Sequence, residues 1–286
     1  MNFYLNKCLT FIIFVVLSVL CFSLSSYASN NVEINPDVLY PGDVFYIKIN
    51  TDRRYKDVLV TFQRDKIYLL RCGKGCFLGL YALDLSVEPG LHQVNVLLGK
   101  ERIVKEISVK GREQEIQKLT LQEDKISLNK KDLLRVKKEE RLLKKIFKKI
   151  TRRKWNGDFI YPLENDINAG FGVKRILNDK FESIHKGIDI KGEEGEVVMA
   201  SNSGRVVLVK ELFFGGKTVI IDHGGGVYSI YMHLSKFSVK RGVSVSKGNI
   251  IGFVGSTGRS TGPHLHFGIK VNNRNANPVS MIELDI

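Results

Sequence analysis

Short apolar runs broken by polar and glycine-rich turns dominate the chain, and their period changes twice. Between residue 29 and about residue 110 the runs are β-like. They include Val44-Phe45-Tyr46-Ile47-Lys48-Ile49 after Pro41-Gly42-Asp43, and Val58-Leu59-Val60-Thr61-Phe62. Lys66 to Leu70, Gln93 to Leu98 after Pro89-Gly90, and Ile103 to Val109 continue the series. From Phe159 to the C-terminus the chain again reads as strands, among them Gly204 to Val209, Lys217 to Asp222, Val227 to Met232 and Ile250 to Val254. Gly-Gly and Ser-Gly pairs separate them, and no long helical period appears.

The segment between differs. Asn129 followed three residues later by Asp132 resembles a capping box and predicts a helix start. Leu143, Ile146, Phe147 and Ile150 then recur at i, i+3, i+4 and i+7, a helical stripe. The other face carries Lys137, Lys138, Arg141, Lys144, Lys145, Lys148 and Lys149, then Arg152, Arg153 and Lys154. Such a helix either docks its stripe on a neighbouring domain or tethers the chain to a polyanion or membrane surface. The expected organisation is a mainly β protein with four units. Residues 1–28 form a signal peptide, 29–110 an immunoglobulin-like β-sandwich, 111–158 a helical basic linker, and 159–286 an antiparallel β domain.

Composition narrows the class of partner. With 43% hydrophobic and 26% charged residues the chain is of globular type. Lys+Arg 44 against Asp+Glu 30 gives a net charge of +14, which favours an anionic partner. Lys7, the uncharged run Leu9 to Leu24 and Ser26-Tyr27-Ala28 read as a cleavable export signal, an uncleaved anchor being the alternative. Export to the periplasm or the exterior argues against nucleic acid and for envelope polyanions. Of four cysteines, Cys72 and Cys76 remain after cleavage. In an oxidising compartment they predict a small disulfide across a glycine-rich turn.

Five of six histidines (His185, His223, His233, His264 and His266) fall in the last segment. His185 and Asp189 stand four apart, and His264 and His266 two apart. In extended chain each pair faces one way. Two imidazoles and a carboxylate brought to one point make an open zinc site, which lowers the pKa of bound water and polarises a carbonyl. Histidines left over from coordination are the candidate bases. The remaining one in the front segment, His92, is read as structural.

These residues resemble the catalytic domain of the M23 (lysostaphin/LytM-type) zinc endopeptidases, which has the duplicated-hybrid-motif type of β fold and cuts the peptides of peptidoglycan. The motifs are Phe171-Gly172, His185-Lys-Gly-Ile-Asp189, Asp222-His223-Gly224, Tyr231-Met-His233-Leu234, and Gly252 through Gly262-Pro-His264-Leu-His266-Phe267. The resemblance implies His185, Asp189 and His266 as zinc ligands. It implies His264 as general base and His233 as its partner in polarising water or stabilising the oxyanion; the mechanism expected here has His233 protonated when the oxyanion forms. It gives His223 no ligand role, and that residue is expected to be structural. The function implied is hydrolysis of stem-peptide or cross-bridge amides in the cell envelope. The rival is a catalytically silent member that activates other wall hydrolases or binds wall polyanions. The loop Ile176 to Ser183 is expected to wall the cleft.

Overall fold

The computed structural model describes residues 30–120, 123 and 127–286; the expected signal peptide lies outside the described residues. Two sheets form the front of the molecule. One has four strands, in the order Asn31–Asn35, Val44–Asn50, Cys76–Ala82 and Leu69–Gly73. The other has five: Val38–Leu39, Glu101–Val109, Gly90–Leu98, Val58–Phe62 and Asp65–Ile67. Phe45, Ile47, Ile49, Phe62, Tyr81, Val94, Val96 and Ile107 fill the space between them. Phe45, Phe62 and Tyr81 form an aromatic triad with ring centroids 5.2–6.0 Å apart. A disulfide joins Cys72 to Cys76, with Cα atoms 5.1 Å apart.

Strand side chains alternate between faces, and Val44–Asn50 buries both. Its inward residues join the sandwich core, while Val44 and Tyr46, with Leu78, Leu80 and Ala82, belong to the core of the C-terminal body. Polar ties reinforce that seam. Asn277 donates from its backbone to the Gly42 carbonyl (2.7 Å) and from its side chain to Asp43 (2.8 Å). Ser280 accepts from the Val44 amide at 3.0 Å. Period-2 patterning showed strands here, but not that the second face would be covered.

The C-terminal body is built on an eight-stranded sheet. Its main order is Ile167–Ala169, Ile188–Lys191, His264–Val271, Val227–Leu234, Gly216–Gly224, Gly204–Leu212 and Ser244–Val245, with Arg274–Ala276 beside His264–Val271. Val197–Met199, Ile250–Phe253 and Lys236–Phe237 form a smaller sheet over one face. Ile188, Ile190, Val219, Ile221, Tyr231, Leu265 and Phe267 are buried in the principal core.

The opposite face is covered by the helix Lys130–Phe147, whose N-cap Asn129 accepts from the Asp132 amide at 3.0 Å. Phe147, with Leu142, Leu143 and Ile146, packs on Leu208, Leu212, Ile220, Tyr228 and Ile230. The stripe therefore docks as expected, except at Ile150, which lies past the helix end and is exposed. Glu139 is buried at this seam, accepting from the Phe213 amide (2.8 Å) and from Arg135 Nε (2.9 Å). Among the described residues no helix is long and apolar enough to cross a membrane.

Residues ahead of the helix hold a strand. Ile116–Leu119 pairs in parallel with Lys174–Leu177, which pairs antiparallel with Phe181–Ile184. A segment expected to be helical linker thus forms the third strand of a small sheet beside the histidine cluster.

Candidate metal centre

Sheet register delivers the first two members of the cluster. Ile188–Lys191 and His264–Val271 run antiparallel with Asp189 opposite His266 and Lys191 opposite His264. Directly opposed residues share a face and lie within side-chain reach. His185 arrives by another route. It follows the strand Phe181–Ile184, and a bend at Gly187 separates it from Ile188, so the continuous extended run expected from His185 to Asp189 does not form. Instead the His185 amide donates to the Val173 carbonyl and its own carbonyl accepts from the Gly172 amide, both at 2.9 Å. Gly187 is required by close approach: a Cβ there would lie 2.4 Å from the Phe267 carbonyl oxygen and 2.8 Å from His266 Nε2.

The three side chains converge. His185 Nε2 lies 3.0 Å from Asp189 Oδ1 and 3.0 Å from His266 Nδ1, and the last two atoms are 2.8 Å apart. Each can present one ligand atom to a common point. His185 Nδ1 is 2.7 Å from the Gly170 carbonyl. That acceptor holds the proton on Nδ1 and leaves the Nε2 lone pair facing inward. Burial pushes the Asp189 pKa up, but the close approach of the His185 and His266 imidazoles outweighs it and holds the carboxyl well below the usual carboxylate range. Burial also lowers the pKa of His266, against the opposing pull of Asp189. A neutral imidazole and a carboxylate are the forms that bind metal. Tetrahedral zinc with ligands near 2.0–2.1 Å would set those atoms roughly 3.3 Å apart. The donor set fits after side-chain shifts of a few tenths of an ångström.

The accessory histidines stand beside this point. His264 Nε2 lies 3.7 Å from Asp189 Oδ1, and its Nδ1 faces the Gly262 carbonyl at 2.9 Å and Ser260 Oγ at 3.2 Å. The His233 ring centroid is 4.9 Å from that of His264 and 6.0 Å from that of His266. His233 has φ +63°, in the left-handed region, where the ladder between Gly216–Gly224 and Val227–Leu234 shifts register. Such a bulge re-aims a side chain, and a non-glycine residue tolerates this φ only where its surroundings hold it. Here the holding contacts are the His233 amide on the Gly215 carbonyl and Nδ1 on the Thr257 carbonyl, both 2.8 Å.

Burial, aided by His266 and His264, pushes the His233 pKa down to about 3. Resting His233 is therefore neutral, the form from which the protonated His233 expected at the oxyanion has to be made. Its Nδ1–H is committed to Thr257, which leaves Nε2 as an acceptor.

Arg175 belongs to the site, although the sequence reading passed over it. Its guanidinium donates to Asp189 Oδ2, turning Oδ1 toward the histidines, and its Nε donates to Gln117 Oε1 at 3.0 Å. The adjoining cavity holds about 650 Å³. Its walls include Leu177, Glu182 and Ser183, so the expected cleft-wall segment Ile176 to Ser183 lines it, as a β-hairpin rather than a loop, together with Gln117 and Leu119. No local motif advertised Gln117 or Leu119, because a parallel strand added from the linker is a long-range event.

Other singled-out residues lie elsewhere. His223 is buried, with Nδ1 2.8 Å from the Ser203 carbonyl and Nε2 2.7 Å from Ser229 Oγ. Burial lowers its pKa to about 4. Tyr231 is buried and accepts from the Ser201 amide, while Tyr228 donates to the Ile146 and Lys149 carbonyls at the helix end. His92 Nε2 meets the Glu88 carbonyl at 2.7 Å, far from the cluster in the front sandwich.

Fold and geometry together define a β domain with a two-histidine, one-carboxylate centre of metallopeptidase type. Residues 183–278 match the model described as "Peptidase family M23", so this stretch of the chain is an M23 peptidase domain. It is 46% identical over 115 residues to the DD-carboxypeptidase/endopeptidase Mpg of Neisseria meningitidis, covering 40% of this chain and 26% of that protein. It is 36% identical over 140 residues to the peptidoglycan DD-endopeptidase ShyA of Vibrio cholerae, covering 46% and 32%. The match therefore spans about a quarter to a third of these curated relatives. A solved Pseudomonas aeruginosa structure, described as a candidate M23 peptidase, aligns over 87% of this chain and 95% of its own, with 25% identity and a TM-score of 0.63. That likeness extends the shared fold beyond the M23 domain into the front half.

Proposed function

We propose that the protein is a zinc-dependent endopeptidase that hydrolyses amide bonds in the stem peptides or cross-bridges of peptidoglycan. The observation that carries this reading is the convergence of His185 Nε2, Asp189 Oδ1 and His266 Nδ1, with two further imidazoles beside them, inside an M23 domain. Zinc is the ion this donor set suits, and His185, Asp189 and His266 would hold it. When bound, the ion polarises the scissile carbonyl, stabilises its oxyanion and lowers the pKa of water toward about 7.

The chain's own groups manage the protons. His264, with Nδ1–H held by the Gly262 carbonyl, offers its Nε2 lone pair to the attacking water and later returns the proton to the leaving amine. His233 Nε2, the second acceptor, fixes the water's other hydrogen and so its line of approach. Arg175 fixes the Asp189 carboxylate. A catalytically silent activator has no need of all five aligned side chains.

Four units support this activity. Residues 1–28 direct export to the periplasm or exterior and are cleaved; 29–110 form an immunoglobulin-like domain; 111–158 are a basic linker; 159–286 are the peptidase domain. The helix lysines Lys137, Lys138, Lys144 and Lys145 face solvent beside the docked stripe and suit an anionic envelope surface. Zinc-loaded protein incubated with purified cross-linked muropeptides is expected to release new amino groups and cleaved peptides detectable by mass spectrometry, with His264→Ala inactive. Unchanged muropeptides, or equal cleavage by His264→Ala, would overturn the reading.

A further inference from the structure

The cavity beside the metal centre is lined by a half-buried cation that no acid or hydrogen-bond acceptor among the described residues meets. Five charged side chains besides the histidines line it: Arg175, Glu182, Lys186, Asp189 and Arg259. Both acids are already engaged, Asp189 by Arg175 and Glu182 by Lys174 at 2.9 Å. Arg259 is different. Its guanidinium stacks on the Phe214 ring at 4.3 Å from the centroid, and among the described residues it has no ion pair and no side-chain hydrogen bond. Burial, together with the nearby Arg175 cation, lowers its pKa. A half-buried guanidinium with five donors and no acceptor costs free energy unless an anion meets it.

Arg259 is also rigidly placed. Its amide donates to the Phe214 carbonyl at 2.8 Å. The preceding Gly258, with φ +81°, sits so close to the Phe214–Gly216 turn that a Cβ would lie 2.2 Å from the Gly216 nitrogen. The same short loop supplies Thr257, whose carbonyl orients His233, and Ser260, which faces His264. One loop therefore fixes both accessory imidazoles and aims Arg259 into the cleft they share. Arg259 and the Phe214 ring it stacks on both line the cavity, and a guanidinium there can take a carboxylate bidentately.

We propose that Arg259 is a specificity residue that binds a free carboxylate of the peptide substrate next to the scissile amide. This rests on the endopeptidase reading and deepens it, because it selects peptides by charge as well as by bond type. The carboxylate can belong to a chain-terminal residue or to an acidic side chain, and both present the same chemistry to the guanidinium.

The test uses the zinc-loaded full chain and three synthetic stem peptides with one scissile amide: both carboxylates free, the terminal one amidated, or the side-chain one amidated. For the wild type, amidating the carboxylate that Arg259 holds is expected to lower kcat/KM about 10–100-fold, chiefly through KM. Which peptide suffers identifies the source. Arg259→Gln is expected to lose a similar factor on the free peptide and to lose nothing further on amidation, while Arg259→Lys recovers part of the preference. Equal losses by Arg259→Gln on all three peptides, or an amidation penalty as large in Arg259→Gln as in the wild type, would overturn the proposal. If the wild type cleaves none of the peptides, the endopeptidase reading fails on its own. Calorimetric binding of the same peptides to wild type and Arg259→Gln then decides the carboxylate site: tighter binding of the free peptide by the wild type alone supports it, and identical binding by both rejects it.

Discussion

The two β bodies of this chain are assembled from similar strands and filled in opposite ways. The front sandwich encloses Phe45, Phe62, Tyr81 and a set of Val, Ile and Leu side chains. The C-terminal body buries Asp189, His185, Asp222, His223, Ser229, His233, Thr218, Ser201 and Asn202 along with its apolar core. A buried polar group is costly unless bonded, and here the bonds are made. His223 sits between the Ser203 carbonyl and Ser229, and Asp222 accepts from Thr151 and pairs with Lys154 at 3.3 Å. The interior of the front sandwich is apolar and can be altered without touching the chemistry. The rear body spends part of its interior on holding imidazoles in chosen tautomers, so its stability and its activity are coupled.

That contrast can be broken at several points. The largest effect is expected from Asp189→Asn, which removes the charge shared by the two histidines. Peptide hydrolysis should fall by more than about 10³-fold, roughly 4 kcal/mol of transition-state stabilisation. Zinc retained after gel filtration should fall with it, as measured by elemental analysis. Phe62→Ala empties the centre of the front triad and should cost about 3–5 kcal/mol in urea unfolding of that body. The kcat of the folded fraction on a short peptide should stay near the wild-type value; a parallel collapse of kcat would mean that the sandwich also shapes the site.

Acid should separate the bodies next. Burial lowers the His223 pKa from 6.5 to about 4, so the unfolded chain binds the proton first as pH falls. The stabilisation from neutral His223 is fully present above pH 6.5 and is lost down to about pH 4, at most about 3 kcal/mol. Thermal melts across that range should show the C-terminal transition falling while the front transition holds. A flat C-terminal transition would show that His223 keeps its proton equilibrium on folding. The smallest effect is expected at the linker. Asn129→Ala removes the cap on Lys130–Phe147 and should cost about 1 kcal/mol, read as faster amide exchange in the first helical turn.

How much of this was legible in the sequence depended on how local the cause was. The strand runs, the Asn129 cap and the docking stripe follow from period and neighbouring residues and appear in the fold, except that Lys66–Leu70 breaks at Tyr68 between two sheets and Ile150 lies past the helix end. His264 and His266 share a strand, so their common face was readable, and Asp189 opposite His266 needed only a register that motif and pattern together suggested. His185 reached the same point for a different reason. A bend at Gly187 replaced the extended run, and backbone bonds to Val173 and Gly172 set its place. The neutral state of His233 was hidden because it depends on burial and on a bulge with φ +63° that no residue preference announces. Arg175, Gln117 and Leu119 were hidden for the same class of reason. Their roles come from a parallel pairing of the linker with Lys174–Leu177.

The proposed centre is tested most directly by anomalous diffraction at the zinc edge from crystals of the zinc-soaked full chain. The account predicts one strong peak about 2.0–2.2 Å from His185 Nε2, an Asp189 carboxylate oxygen and His266 Nδ1. Zinc bound only elsewhere, for instance at the exposed Glu193–Glu194 turn, or no ordered zinc at all, would contradict it.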